Sequence, residues 1–267
     1  MNRKKLSQIF IYPIKSLGGI LLSTSIVEER GLKHDRRWML IDENDSFLTQ
    51  RQYPQMALLN VKIEGEFLIV SLKNNEREKI SLPLFSSSKK TLKVKIWDDT
   101  CTAELVSQEA DNWFSEILNI KCRLVQMPES TKRLVDRQYS PAENFVSFAD
   151  GYPFLIIGQA SLDDLNEKLP QPLVINRFRP NFVFTGGEPN EEDNWKKFKI
   201  GEVVFSALKP CARCVITTID QETAARGIEP LATLASYRKK ENKVLFGMNL
   251  ICHSTGTINL EDEITFL

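Results

Sequence analysis

The segment Lys209-Pro210-Cys211-Ala212-Arg213-Cys214 sets two thiols three residues apart with a guanidinium between them. A cation beside a thiol favours the thiolate, the form that binds a metal or attacks an electrophile. Val215-Ile216-Thr217-Thr218-Ile219 follows, and its β-branched residues predict a strand. A dithiol redox motif instead sits at a helix N-terminus, where the dipole lowers the thiol pKa. A zinc site needs four ligands. Only Cys252 and His253 are at hand to complete one, and on a strand these neighbours point to opposite faces. Two readings stay open on the residues alone: one thiolate ligand for a soft metal, or two thiols that pack as small apolar groups.

Several separated basic elements accompany the thiols. Tyr12-Pro13-Ile14-Lys15-Ser16-Leu17-Gly18-Gly19 follows the first strand; Pro13 stops the ladder, Lys15 and Ser16 offer a charge and a hydroxyl, and the glycines let backbone approach a ligand. Asp35-Arg36-Arg37-Trp38 opens a strand with two cations, which diverge if the backbone is extended. Asn176-Arg177-Phe178-Arg179-Pro180-Asn181 reads as an extended segment with both arginines on one face, a pattern suited to bidentate binding of phosphate or carboxylate. Thr49-Gln50-Arg51-Gln52 adds a polar run. Taken singly, each also reads as a turn or a surface ion pair. Together with a thiolate they suit a large anionic cofactor that presents a soft metal.

These residues must be held by a β-rich scaffold. Ile9–Tyr12, Ser25–Glu28, Trp38–Asp42, Ala57–Ile63, Phe67–Leu72 and Leu92–Trp97 are short apolar or alternating runs separated by Gly, Asn and Asp, the pattern of a small antiparallel barrel or sandwich. Ser107 predicts an N-cap for a helix in which Ala110, Trp113, Phe114, Ile117 and Leu118 recur at helical spacing. Pro128–Glu143, carrying Lys132, Arg133 and Arg137, reads as a solvated loop or as a lid over an anion. Further on, Phe154–Gly158, Asn181–Thr185, Val203–Leu208, Asn249–Cys252 and Ile258–Leu260 predict strands. Ser161 predicts the cap of a helix through Leu169, and Leu231–Lys239 a second helix. A boundary between two closely packed halves falls at 120–130.

Composition limits the partners. Thirty-five basic residues balance thirty-five acidic ones in 267, so bulk charge attracts neither nucleic acid nor a membrane surface. No apolar run approaches the roughly 20 residues of a membrane span. The basic start Met1-Asn2-Arg3-Lys4-Lys5 leads into an apolar run too short for a secretory signal. Five cysteines, odd in number and sparse, predict a reducing, cytoplasmic setting, and with only His34 and His253, multi-histidine chemistry is excluded.

One family joins these stretches in this order. Ile11-Tyr12-Pro13-Ile14-Lys15-Ser16, Asp35-Arg36-Arg37-Trp38-Met39-Leu40, Thr49-Gln50-Arg51-Gln52, Phe148-Ala149-Asp150-Gly151-Tyr152-Pro153-Phe154-Leu155, Phe178-Arg179-Pro180-Asn181 and Lys209–Cys214 with Thr217-Thr218-Ile219-Asp220 resemble the MOSC superfamily. The likeness is greatest to its two-part members with an N-terminal β-barrel, the group of the mitochondrial amidoxime-reducing component and the bacterial YcbX-like proteins. It implies a mixed, β-rich α/β fold: an N-terminal β-barrel-like domain (1–122) packed against a MOSC β-barrel domain (123–267) with a few helices. It also implies a molybdenum–molybdopterin cofactor, with no pyridoxal phosphate, zinc or iron–sulfur cluster in this chain.

By the same resemblance Cys214 is the molybdenum ligand and Cys211 a neighbour that does not bind the metal. Lys15, Ser16 and Arg36 hold the phosphate end of the pterin, Arg179, Asn181 and Arg213 add contacts, and Asp150 lies by the metal and relays protons. The implied activity is reduction of N-hydroxylated compounds (hydroxylamines, amidoximes, N-hydroxylated nucleobases), an N-reductive detoxification. A sulfur-carrier or cofactor-handling role through a cysteine persulfide is the alternative. YcbX-like proteins carry a C-terminal ferredoxin domain, whereas here no cysteine follows Cys252 and the sequence stops at Leu267. Electrons are therefore expected from a separate ferredoxin- or flavoprotein-type donor. A membrane anchor like that of the mitochondrial relatives is not expected, and Asp150-Gly151-Tyr152 stands where that group is richer in hydroxyls.

Overall fold

The computed structural model describes residues 3–85, 88–140 and 142–267. Its backbone is organised by a nine-stranded sheet in the order Ile264–Phe266, Lys197–Ile200, Val203–Arg213, Lys243–Cys252, Phe154–Gly158, Phe182–Thr185, Lys5–Ile11 and Ile20–Leu22, with Lys239–Lys240 pairing Lys243–Cys252 off this path. Phe154–Gly158 and Phe182–Thr185 run parallel, joined by the helical stretch between them as a parallel pair requires. A four-stranded sheet (Trp38–Ile41, Arg123–Gln126, Asp99–Leu105, Thr91–Ile96) and two three-stranded sheets complete the β structure. Among the described residues there are three α-helices, Gln108–Leu118, Gln159–Asn166 and Leu231–Tyr237, so the fold is β-rich with few helices. None is long and apolar enough to cross a membrane.

Most sequence-predicted elements form because period-two apolar runs bury one face. Lys5–Ile11 sends Leu6, Ile9 and Ile11 into a core built on Phe154, Phe182, Phe198 and Phe205. Ser107 caps the first helix, its hydroxyl accepting from Ala110 N at 3.1 Å, and Ala110, Phe114 and Leu118 face a second core with Trp38, Leu40 and Leu124. Pairing crosses the 122/123 division in both directions. Lys5–Ile11 adds to Phe182–Thr185, Thr24–Glu28 pairs Gly256–Asn259, and Arg123–Gln126 pairs Trp38–Ile41. Residues 12–19 therefore run from one core to the other, with Ile9 and Ile11 in the first and Ile14 and Leu17 in the second.

Four local expectations are overturned. Val215–Thr218 is a 3₁₀ turn, not a strand. The hydroxyls of Thr217 and Thr218 donate back to the Cys214 and Val215 carbonyls at 3.0 and 2.9 Å, and this local competition defeats β propensity. Asn176–Asn181 is not extended: Ile175–Phe178 is a 3₁₀ turn and Arg179 is left-handed at φ 54°, so the two arginines part company. Ser161 lies within its helix, which begins at Gln159, because its hydroxyl is engaged by Glu192 and Asn190 N instead of capping. Arg36, at φ 48°, belongs to a turn that precedes the strand at Trp38.

The 128–143 segment, apart from Pro141, which lies outside the described residues, has no regular structure, yet Arg133 is not solvated. It is buried, donating from Nε to Asp99 at 2.7 Å and from its terminal nitrogens to the carbonyls of Ser147, Ala149 and Asp150 at 2.9, 2.5 and 2.8 Å. It is a clamp beneath the 147–150 turn, not part of a lid.

Candidate active site

Where residues 12–19, the 147–155 stretch and the end of strand Val203–Arg213 converge, they leave a cleft of about 290 Å³. Every residue singled out by resemblance lines it: Lys15, Ser16, Arg36, Asp150, Arg179, Asn181, Arg213 and Cys214, with Cys211 beside them. Cys214 directly follows the long strand Val203–Arg213, still extended at φ −130°, ψ 177°, just before the 3₁₀ turn.

The cation beside that thiol is not the one in the motif. Arg213 turns toward Cys211, its Nη1 donating to Sγ at 3.1 Å and its Nη2 to Phe178 O at 2.6 Å. Cys214 Sγ instead accepts from Arg51 Nη2 at 3.2 Å. Alternation along an extended chain separates neighbouring side chains, so the partner had to come from another segment. Arg51 stands in the sequence as part of a polar run that also belongs to the stretches of resemblance, but no role attaches to it there and its flanking residues carry no signal for the contact.

Two more guanidiniums are set by an aromatic ring. Arg36 and Arg179 lie over Tyr12 at 4.3 and 4.2 Å from its centroid. Arg36 also donates to buried Asp35 at 2.5 Å and to Arg179 O at 3.1 Å. Arg179 donates to Leu17 O at 2.7 Å, and burial draws its pKa down to about 10, which leaves it cationic at neutral pH. Burial likewise pushes the Tyr12 hydroxyl up to about 12, against the pull of Arg179 and Arg36, so the ring stays neutral between them.

Arg179 Nη2 and Arg213 Nε are buried donors with no partner in the protein. Such orphans are costly unless an acceptor reaches them. This is a fit for an anionic group carrying several acceptor oxygens, and the Cys214 thiol fits the soft metal that group would present. Asn181 also faces the cleft, but its Oδ1 accepts from Leu155 N and its Nδ2 donates to Phe10 O. Its polar atoms hold two strands in register, so it shapes the floor.

Lys15 and Asp150 form the remaining polar pair. Lys15 is buried and donates to Asp150 Oδ1 at 2.5 Å and to Phe148 O at 2.8 Å. Burial lowers its pKa to about 8, with Asp150 opposing the fall. Removal from water raises the Asp150 pKa, but Lys15, Arg51 and the Trp97 indole outweigh that and hold it well below the usual carboxylate range. Asp150 is therefore ionised at neutral pH and Lys15 is the group that titrates. Since Lys15 loses its charge as pH rises through about 8, affinity for an anion in the cleft should fall between pH 7 and 9. Lys15→Arg should abolish that step, because a guanidinium stays charged throughout. Calorimetric titration with pyrophosphate at the two pH values checks it, and an unchanged affinity in the parent chain would refute it.

Residues 3–121 match the MOSC N-terminal beta barrel domain and residues 143–265 the MOSC domain. The chain is 32% identical over 281 residues to mitochondrial amidoxime reducing component 2 of Rattus norvegicus, covering 97% of this chain and 82% of that protein. It is also 32% identical over 264 residues to the molybdenum cofactor sulfurase of Oryza sativa subsp. japonica, covering 92% of this chain but only 32% of the sulfurase. The chain thus spans about a third of the sulfurase's length. Among solved structures, the YUAD protein from Bacillus subtilis aligns over 99% of this chain and 97% of that one, with a TM-score of 0.42 and 10% identity.

Proposed function

The chain belongs to the MOSC family, with both its N-terminal beta barrel domain and its MOSC domain, and on that premise we propose that it is a molybdenum-cofactor oxidoreductase reducing N-hydroxylated compounds. The observation that carries the reading is the Cys214 thiol, with Cys211 near it, in a cleft ringed by Lys15, Arg36, Arg179 and Arg213, two of whose arginines hold buried donors without partners. Such a site suits an anionic pterin that brings a soft metal to a single thiolate. The relatives named amidoxime reducing components supply the substrate class.

In this reading Cys214 is the metal ligand. Arg36, Arg179, Arg213 and Lys15 bind and orient the cofactor's anionic end, with Ser16 beside them. When bound, the molybdenum–pterin group supplies the two-electron chemistry that cleaves the N–O bond. The balance is R–NHOH plus two electrons and two protons to R–NH2 and water. Arg51 orients the Cys214 side chain by donating a hydrogen bond to Sγ. Asp150, ionised, accepts from the substrate's N–H and O–H groups, and Lys15 holds the proton available near neutral pH. Asp150 and Lys15 together thus form the proton-relaying pair beside the metal position in this reading. Electrons come from a separate ferredoxin- or flavoprotein-type donor, consistent with relatives whose names call them components.

Metal analysis of the chain made in a cofactor-competent host tests this. About one molybdenum per chain, with benzamidoxime converted to benzamidine on supply of electrons, is the expected result. A metal-free chain bearing one added sulfur atom on Cys214 would instead support the persulfide-carrier reading that the sulfurase relatives favour.

A further inference from the structure

We propose that Trp97 is the aromatic platform on which the flat organic part of the substrate rests, so that the site selects planar aromatic N-hydroxylated compounds over aliphatic ones. The inference rests on the reductase reading above.

Trp97 lies outside the stretches that carry the family resemblance, and its position is locally unfavourable. Strands Thr91–Ile96 and Asp99–Leu105 pair with Asp99 opposite Ile96, so Trp97 and Asp98 alone form the turn. Trp97 takes φ 54°, a left-handed conformation that two-residue hairpin turns normally give to Gly or Asn. A bulky aromatic there is an outlier, and outliers of this kind persist where function requires the side chain. The indole is also 50% exposed, although nothing in hairpin formation needs an apolar group at the tip.

Its contacts all lead to the site. The Trp97 Nε1–H donates to Asp150 Oδ1 at 3.3 Å. The Arg51 guanidinium packs 4.5 Å from the ring centroid, and Phe47 meets it edge-on at 4.9 Å. Arg51 in turn lies 3.6 Å from Asp150 Oδ2 and donates to Cys214 Sγ at 3.2 Å. The ring thus touches the carboxylate directly, is one residue, Arg51, away from the thiol, and is half exposed. A benzamidoxime is a single conjugated plane: its ring can cover the open indole while its N–H and O–H groups point to Asp150. An acetamidoxime offers no ring to stack.

Calorimetric titration of benzamidoxime and acetamidoxime into the full-length, cofactor-loaded chain without an electron source tests this, using Trp97→Gly and Trp97→Phe. Glycine suits the backbone at this turn and so offsets part of the lost ring contacts, and thermal unfolding checks that the fold is kept. Trp97→Gly should weaken benzamidoxime binding about tenfold relative to acetamidoxime, and Trp97→Phe, which keeps a ring, by no more than about threefold, the scale of an aromatic stack. The ratio of the two KM values should shift to match. Unaltered benzamidoxime affinity in Trp97→Gly, or equal weakening of both ligands, would overturn the proposal, the second because Trp97 would then only prop Asp150 and Arg51. If the parent chain binds benzamidoxime through Trp97 yet reduces neither amidoxime with reduced methyl viologen, the platform stands and the reductase reading falls.

Discussion

Cys214→Ser is expected to strip molybdenum from the chain and to lower benzamidoxime reduction by more than about 100-fold, the loss that even outer-shell partners of a metal site can cause. A serine hydroxyl does not ionise near neutral pH and is a hard ligand, so neither the charge nor the softness of the thiolate survives. The fold should not suffer. Cys214 contributes its carbonyl to the following turn, accepting from Thr217 N at 3.1 Å and from the Thr217 hydroxyl, and serine keeps both. Thermal unfolding within about 0.5 kcal/mol of the parent is expected for such a substitution. Cys211→Ala separates the two thiols, for it removes the acceptor of Arg213 Nη1 and leaves the Arg51 contact to Cys214 in place. Full molybdenum content and activity in Cys214→Ser, measured by metal analysis and amidine formation, would sink the assignment.

The second large effect is one of stability, at Arg133. Replacing it with methionine keeps the buried stem but removes the donors to the Ser147, Ala149 and Asp150 carbonyls. Those acceptors lose charge-assisted bonds with little water to replace them, and Asp99 loses its partner. A loss of about 3 kcal/mol is expected, comparable to breaking a buried pair. For a chain of this size that corresponds to a fall in Tm of roughly 6–12 °C. Because Arg133 holds the turn that presents Asp150, activity should fall with it, and hydrogen exchange at 147–150 should rise. A Tm equal to the parent's would show that the clamp is dispensable. The neighbouring charges of the same loop do not share this role. Lys132 lies over Phe145, and Arg137 faces Glu143 at 3.9 Å as an exposed pair of the kind worth little.

Some of this was legible in residue order and some was not. The strands Phe67–Leu72 and Phe154–Gly158 were readable to the residue, since short apolar runs bounded by turn residues bury themselves whatever surrounds them. The Ser107 cap was equally local, a hydroxyl three residues from the N–H it satisfies. Prediction failed where a side chain had an alternative to the ladder. Thr217 and Thr218 bonded their own backbone, Ser161 found Glu192 across the chain, and the left-handed turn at Arg179 broke the alternation that would have aligned it with Arg177. Arg177 went instead to Asp220 at 2.8 Å.

Residue types and spacing by themselves determined the inventory: a thiol pair with an arginine between them, cations in separate basic stretches, scarce histidine and a β-rich chain. These follow from local chemistry and from periodicities that a single segment expresses alone. Only the tertiary structure decided the pairings: that Arg213 serves Cys211 while Arg51 reaches Cys214, that Lys15 meets Asp150 across 135 residues, and that a tryptophan at a hairpin tip joins them. Hydrogen bonds and ion pairs depend on distances of a few ångströms between segments remote in sequence, and it is the packing of two cores against the shared segment 9–17 that brings those segments together.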